Sequence, residues 1–446
     1  MLRAAVAKLL RAKPGEERAV GLAFAYFFML MSGYYLLRPL RDALAIGTGV
    51  ENLRWLYLGT FLAMLALTPF YGALVARVRK PLLLPVVYGF FAANLLVFYL
   101  LFKLDPDAGW LGAAFFIWLS TYNYFVVSVF WSFMADVFRD EEAKRLFGPI
   151  AAGGGTGAIV GPLAMQILVP RIGADAVVGI AMLLLLATLP CIRALARWAE
   201  ARHGRFVLPL HDPEARIGGG VLSGLRLVSR SPYLLGIFAV AAIGSITGVF
   251  MYYELLRLVG EAYHDLESRS RFLASIDFAT NVLAWLFQGV VVAWLIRRFE
   301  LRGALIAIPV AALLSFAALA AAPFLLVLAA GQVLRRAGEY GIAKPSREVL
   351  FTAVDAETKY KAKNFIDTAM QRGSDLVGVW FHFLIKSAGV ALVGYSILCA
   401  AGMVAAIAIS LSLAKAFARR ESRGTSWAKP GPSPGFNPET ASEHSR

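Results

Sequence analysis

Two arginines and an aspartate close the first long apolar stretch of this 446-residue chain, which reads Tyr34-Tyr35-Leu36-Leu37-Arg38-Pro39-Leu40-Arg41-Asp42. Three residues apart, Arg38 and Arg41 fall on one face of a helix. Guanidinium forks are suited to bidentate capture of phosphate or carboxylate. The same residues also fit a plainer role. Arginines with Asp42 as partner, beside tyrosines, mark the boundary where an apolar helix leaves a membrane.

A second polar run lies far along the chain, from Asn364 to Asp375. Asp367, Gln371 and Asp375 recur every four residues and so form one stripe on a helix. Arg372 and Asp375 are three apart and can pair with each other. A charge inside a membrane span costs at least roughly 2.5–3.5 kcal/mol, so such groups face a bundle interior or a wet cavity. Glu339 has Arg335 four residues before it, Asp277 and Asn281 share a face, and Glu254 follows Tyr252 and Tyr253. Asp367, Asp375 and Glu339 are the candidates for carrying a coupling proton, while solvation at a span end accounts equally for Asp277 and Glu254. Tyr122-Asn123-Tyr124 offers rings for stacking a base, or simply for packing.

Other patterns lead away from catalysis. Gly153-Gly154-Gly155-Thr156-Gly157, with Gly161 four residues on, lacks the Gly-Lys-Ser/Thr ending and preceding strand of a phosphate loop. Small residues at that spacing let membrane helices approach closely. Five histidines, of which His382 alone lies within an apolar run, and two distant cysteines, Cys191 and Cys399, form no metal-ligand or nucleophile pattern. No metal, cofactor or enzymatic activity is implied.

The elements that must hold these residues follow from composition. Hydrophobic residues make up 59% and charged residues 16%, against a soluble norm of roughly 45–50% and 25%. That excess of apolar surface needs lipid to cover it. Runs long enough to cross roughly 30 Å of hydrocarbon number twelve: 19–42, 54–76, 81–102, 109–137, 149–169, 175–193, 232–256, 272–296, 303–322, 323–343, 364–386 and 388–414. Only Ala322-Pro323 separates the ninth from the tenth, so eleven is the alternative count.

With the N-terminus inside, and each Lys or Arg within a span other than Arg372 assigned to the nearer side, 34 of the 44 fall on the inner side and nine on the outer side, with Arg372 left within its span. Such asymmetry places both termini in the cytoplasm of a cell inner membrane. It also accounts for the net charge of +15 without a nucleic-acid partner. The division is a basic N-terminus (1–18), a six-span half (19–193), a basic central loop (194–231), a second six-span half (232–415) and a disordered tail (416–446). Asp140, Glu142 and Lys144 before span five are matched by Asp355, Glu357 and Lys359 before span eleven, which points to duplicated halves. Six plus six spans with parallel repeats is the plan of the major facilitator transporters.

Three stretches carry a more specific likeness. Leu37-Arg38-Pro39-Leu40-Arg41-Asp42, Asp140-Glu141-Glu142-Ala143-Lys144-Arg145 and Lys359-Tyr360-Lys361-Ala362-Lys363-Asn364-Phe365-Ile366-Asp367 resemble motifs of the nucleotide (ATP/ADP) translocases of intracellular bacteria and plastids. The general plan matches over about the first 415 residues. By this resemblance Arg41 takes the basic nucleotide-binding position of span one, and Lys361 and Lys363 precede span eleven as its basic approach. The glutamate that energy-parasite members carry in span four, near Leu119-Ser120-Thr121, is absent here.

The expectation is therefore an all-α, twelve-span, alternating-access carrier, acting as a monomer in the bilayer. Its substrate would be an anion such as ATP or ADP or another phosphorylated metabolite, bound near the midplane by Arg41 with Arg38 and Arg372. Lys361, Lys363, Tyr122 and Asn123 complete the candidate binding set. Another small-molecule carrier of the same superfamily, and a non-transporting membrane sensor or assembly partner, are the competing classes.

Overall fold

The computed structural model describes residues 13–77, 80–105, 108–203, 221–354, 358, 362–363, 365–366 and 371–427. Among them every regular element is helical. The helices that compose the two halves are α1 (Glu17–Gly47), α2 (Leu53–Arg77), α3 (Lys80–Leu104), α4 (Gly109–Val137), α5 (140–172) and α6 (174–203), then α7 (Pro232–Ala262), α8 (266–299), α9 (301–321), α10 (325–350), α11 (Gln371–Ser387) and α12 (Leu392–Trp427). A short helix, Val221–Arg230, precedes α7.

Among the described residues, seven continuous helical stretches are long and apolar enough to cross a membrane, and two of them, of 64 and 56 residues, bend into a pair each. The bends have local causes. Gly173 adopts φ 81°, a conformation open to glycine at no steric cost, and this folds α6 back on α5. The bend between α8 and α9 falls at Glu300, at φ 59°; between α9 and α10, Ala322 leaves helical geometry at φ −140° and ψ 84°, where proline follows. The expected split at Ala322-Pro323 is therefore present among the described residues. Leu62, Leu65, Phe90, Leu183, Leu314, Leu326, Leu384 and Ile397 are all more than half exposed. These outward apolar side chains need a hydrocarbon environment.

Helix α1 lies at the centre of the first half, packed on α4 and α5. The glycine run makes that possible. A Cβ at Gly157 would lie 2.5 Å from the Phe28 carbonyl oxygen, and one at Gly161 would lie 2.7 Å from that of Ser32. The run thus serves close helix packing, the better of its two sequence readings. Phe130 and Tyr26 fill the core beside this contact, with Phe27 stacked on Phe130 at 4.1 Å.

The start of α1 is fixed by a polar clamp. Glu16, 1% exposed, accepts from both terminal nitrogens of Arg145 at 2.8 and 3.0 Å and from Arg202 at 3.2 Å. Arg202 also reaches Glu142 at 3.2 Å, so residues of the 140–145 motif tie α1, α5 and α6 together. Burial alone would raise the Glu16 pKa, but the Arg145 hydrogen bond and the Lys13 backbone N–H hold it below its ordinary 4.5. A depressed carboxylate pKa adds stability that is complete above the ordinary value and lost as pH falls through the folded one. Arg145→Ala should therefore destabilise the protein by about 2 kcal/mol at neutral pH. The gap from wild type should shrink as pH falls below about 4.5. Thermal unfolding of both proteins in detergent across that range checks it; a gap that does not change with pH would overturn it.

The two ends of the bundle differ. At the Thr48 end one apolar cluster is shared by the halves, joining Ile46, Leu53 and Phe116 to Phe250, Met251 and Val259. Trp55 of α2 meets Trp380 of α11 edge-on at 5.4 Å, and the Arg54 guanidinium lies 3.8 Å from the Phe383 ring centre. At the Glu16 end the ion pairs described stay within one half: Glu16 with Arg145 and Arg202, and Lys363 with Glu348.

Candidate functional site

A charged cluster is set between the halves. Arg38 of α1 and Arg336 of α10 each donate from Nη1 to the same oxygen, Oδ1 of Asp277 on α8, at 2.8 Å. The three side chains are 13%, 10% and 4% exposed. Counted along their helices from the Thr48 end, all three lie about 14–17 Å in at 1.5 Å per residue, at a common level inside the bundle. Two guanidiniums share one carboxylate, so this desolvated site carries one uncompensated positive charge. Buried cations are tolerated only when paired or supplied with a ligand.

Arg41 behaves differently. Its Nε and Nη2 both donate to Asp42 Oδ1, at 2.8 and 2.6 Å, and Nη1 reaches Ser120 Oγ of α4 at 3.1 Å. The guanidinium also lies 4.6 Å from the Phe116 ring centre. Asp42 in turn accepts from Tyr252 Oη of α7 at 2.8 Å. This neutral unit braces α1 against α4 and reaches across to the second half. Span four thus presents a neutral Ser120 to Arg41.

A third contact between halves has a backbone cause. Pro162 has no N–H, which deprives the Ala158 carbonyl of its partner four residues on. Asn281 Nδ2 of α8 donates to that carbonyl at 2.7 Å, in a buried setting. Asn281→Ala leaves the carbonyl orphaned at a cost of about 1–3 kcal/mol. The two halves should then part more often, by about five- to a hundredfold. Spin-label distances between Glu51→Cys and Glu261→Cys, both exposed positions, measure it; an unchanged distribution would show that Asn281 does not hold the halves.

The remaining sequence candidates are spread out. Asp375 accepts from Ser245 Oγ of α7 at 2.5 Å. Glu339 pairs with Arg347 at 3.3 Å. Arg335 lies within electrostatic reach of both carboxylates and donates from Nε to Gln332 at 3.2 Å. Arg335, Glu339 and Arg347 line a cavity of about 60 Å³ inside the second half, walled by Ile237, Leu305 and Met403. Lys363 is engaged by Glu348 at 2.6 Å, well away from Arg38. Tyr122 is 2% exposed and stacks on Trp118 at 5.1 Å within the core of the first half, so its ring packs there and does not reach the gap. Asn123 is half-buried on the same helix. Lys361, Asp367 and the side chain of Arg372 lie outside the described residues.

Arg336 was not anticipated from the sequence, and its signal was indirect. A carboxylate as deep as Asp277 demands a cation, and span ten offers Arg335 and Arg336 side by side. One residue turns a helix by about 100°, and that rotation decides which of the two faces Asp277.

Comparison with known proteins bears on the fold. Residues 19–343 match the sequence family described as Major Facilitator Superfamily. No curated protein matches the chain in sequence. In structure it is similar to a bacterial homologue of the iron transporter ferroportin in an inward-facing state, with TM-score 0.63, 11% identity and coverage of 89% of this chain and 98% of that one. It is likewise similar to an auto-inhibited POT family peptide transporter (0.58, 13%, 90% and 97%). A bacterial homologue of the lysosomal transporter Spinster, inward-facing and unoccupied, gives 0.54 and 12%, covering 92% and 99%. Likeness at such identities is one of fold, and substrate must be argued from the site.

Proposed function

Because the chain belongs to the Major Facilitator Superfamily, we propose that it is an alternating-access carrier of small anions whose binding centre is Arg38, Arg336 and Asp277. The observation that carries this reading is the charge balance between the halves, two guanidiniums on one buried carboxylate. An anion entering there neutralises the surplus charge and draws Arg38 of one half and Arg336 of the other onto a common ligand. It thus favours the occluded state over either open one, which is what a rocking carrier requires.

Arg41 supports the site through Asp42, Ser120 and Tyr252 and is not the first contact for the substrate. The shared apolar cluster closes the Thr48 end, so a substrate would reach the site from the Glu16 end. The positive-inside asymmetry makes that end cytoplasmic. Nucleotides such as ATP and ADP, and other phosphorylated metabolites, are the first candidates, on the strength of the three motif likenesses. In a proton-coupled cycle Asp367, Asp375 and Glu339 are the candidates to carry the proton.

Purified protein in liposomes loaded with unlabelled ATP or ADP and supplied with labelled ATP tests the nucleotide reading. Uptake that requires an internal nucleotide and fails in Arg336→Ala supports it. Absence of uptake in folded protein moves the search to other phosphorylated anions. Cysteine labelling from both membrane faces tests the carrier reading itself: positions near Arg38 should become reactive from each side in turn. Reactivity from one side alone would favour a sensor or assembly partner.

A further inference from the structure

Two polar atoms of the Arg38–Asp277–Arg336 cluster are buried with no hydrogen-bond partner: Asp277 Oδ2, an acceptor, and Arg336 Nη2, a donor. Both residues are more than nine-tenths buried, at 3% and 8% exposure. They are joined through the other atoms of the same two groups, Nη1 and Oδ1, at 2.8 Å. A free donor and a free acceptor thus sit on one ion pair. The cost of leaving each unmade is large, and a ligand recovers it only by offering the complementary atoms.

We infer that the carrier selects anions bearing a hydrogen-bond donor beside the charged group, a hydroxyl or amino substituent next to a phosphate or carboxylate. This rests on the anion-carrier reading above and narrows it. The anionic oxygen accepts from Arg336 Nη2, and the neighbouring O–H or N–H donates to Asp277 Oδ2. An anion with acceptors only satisfies the arginine but sets a lone pair against the carboxylate oxygen, which repels it. Sites built to bond a substrate hydroxyl discriminate strongly against the analogue without it, because the site's own polar group is then left unpaired.

The test uses the full-length protein in detergent with two probes that differ in one hydroxyl, hydroxyethyl phosphate and ethyl phosphate. Calorimetric titration should show the hydroxylated probe binding about ten- to a hundredfold more tightly. In Asp277→Asn the Arg pairing can persist through the amide oxygen while an N–H₂ replaces the acceptor. The preference should then collapse to parity or reverse, with ethyl phosphate bound at least as well as in wild type. Equal binding of both probes by the wild type would overturn this inference and leave the anion site standing. Binding of neither would remove the anion site and the inference with it. A preference that survives Asp277→Asn would place the hydroxyl elsewhere and overturn the assignment to Asp277.

Discussion

Asp277→Ala should abolish transport and cost about 3–5 kcal/mol of stability, because it strands two guanidiniums in a desolvated site with no counter-charge. Asp277 is 3% exposed and is the one described carboxylate bonded to both Arg38 and Arg336. The informative comparison is the double variant Asp277→Ala/Arg38→Gln. Removing one cation with the anion returns the site to a single positive charge, the same balance as in wild type. More than half of the lost stability should return, by the non-additivity expected of groups in direct contact. Transport should not return, since Arg38 and Asp277 are the link between halves. Thermal unfolding in detergent gives the first quantity and liposome uptake the second. An Asp277→Ala protein as stable as wild type would show that the cluster is hydrated and that its charge imbalance carries no energy.

Gly157→Leu should give no folded protein, and Gly157→Ala and Gly161→Ala should each destabilise by about 1–3 kcal/mol. The reason is geometric. At both positions a Cβ would stand within 2.5–2.7 Å of a backbone oxygen of α1, and backbone cannot turn aside as a side chain can. Helix α1 would have to move away from α5. With it would go Arg38 and Arg41, so transport should fall even where Gly161→Ala still folds. Gly155 is the internal control, since a Cβ there meets nothing within 4 Å. Gly155→Ala should be neutral or stabilising by up to about 1 kcal/mol through helix propensity. Equal effects at Gly155 and Gly157 would mean that α1 and α5 do not pack as described.

Much of the architecture was legible in the chain itself. Apolar runs of bilayer length are a one-dimensional signal, because each span satisfies its own backbone and needs no partner to do so. The breaks were local as well: Gly173 and Ala322-Pro323 act through their own dihedral limits. The glycine run at 153–161 announced a close helix contact through its spacing alone, though not that the partner was α1. Arg38 and Arg41 stood out as two forks on one helical face, whereas Asp277 read equally well as a group solvated at a span end.

Tertiary structure decided the pairings. In sequence Arg41 and Arg38 look alike, two forks on one helical face. Only the placement of Ser120 and Tyr252 makes Arg41 a brace, and only Asp277 and Arg336, some 240 and 300 residues further on, make Arg38 part of a charged centre. Glu339 was expected to answer Arg335 four residues before it, yet a turn of irregular helix at Glu339–Ala343 brings it to Arg347. Asn281 reads as an unremarkable polar residue until Pro162 of the other half leaves a carbonyl for it to satisfy. Hydropathy and local backbone rules operate within a helix, so the sequence determined that the chain folds as long apolar helices and where some of its breaks fall. Charge compensation operates between helices at fixed rotation and depth, and that geometry exists only once the two halves are packed.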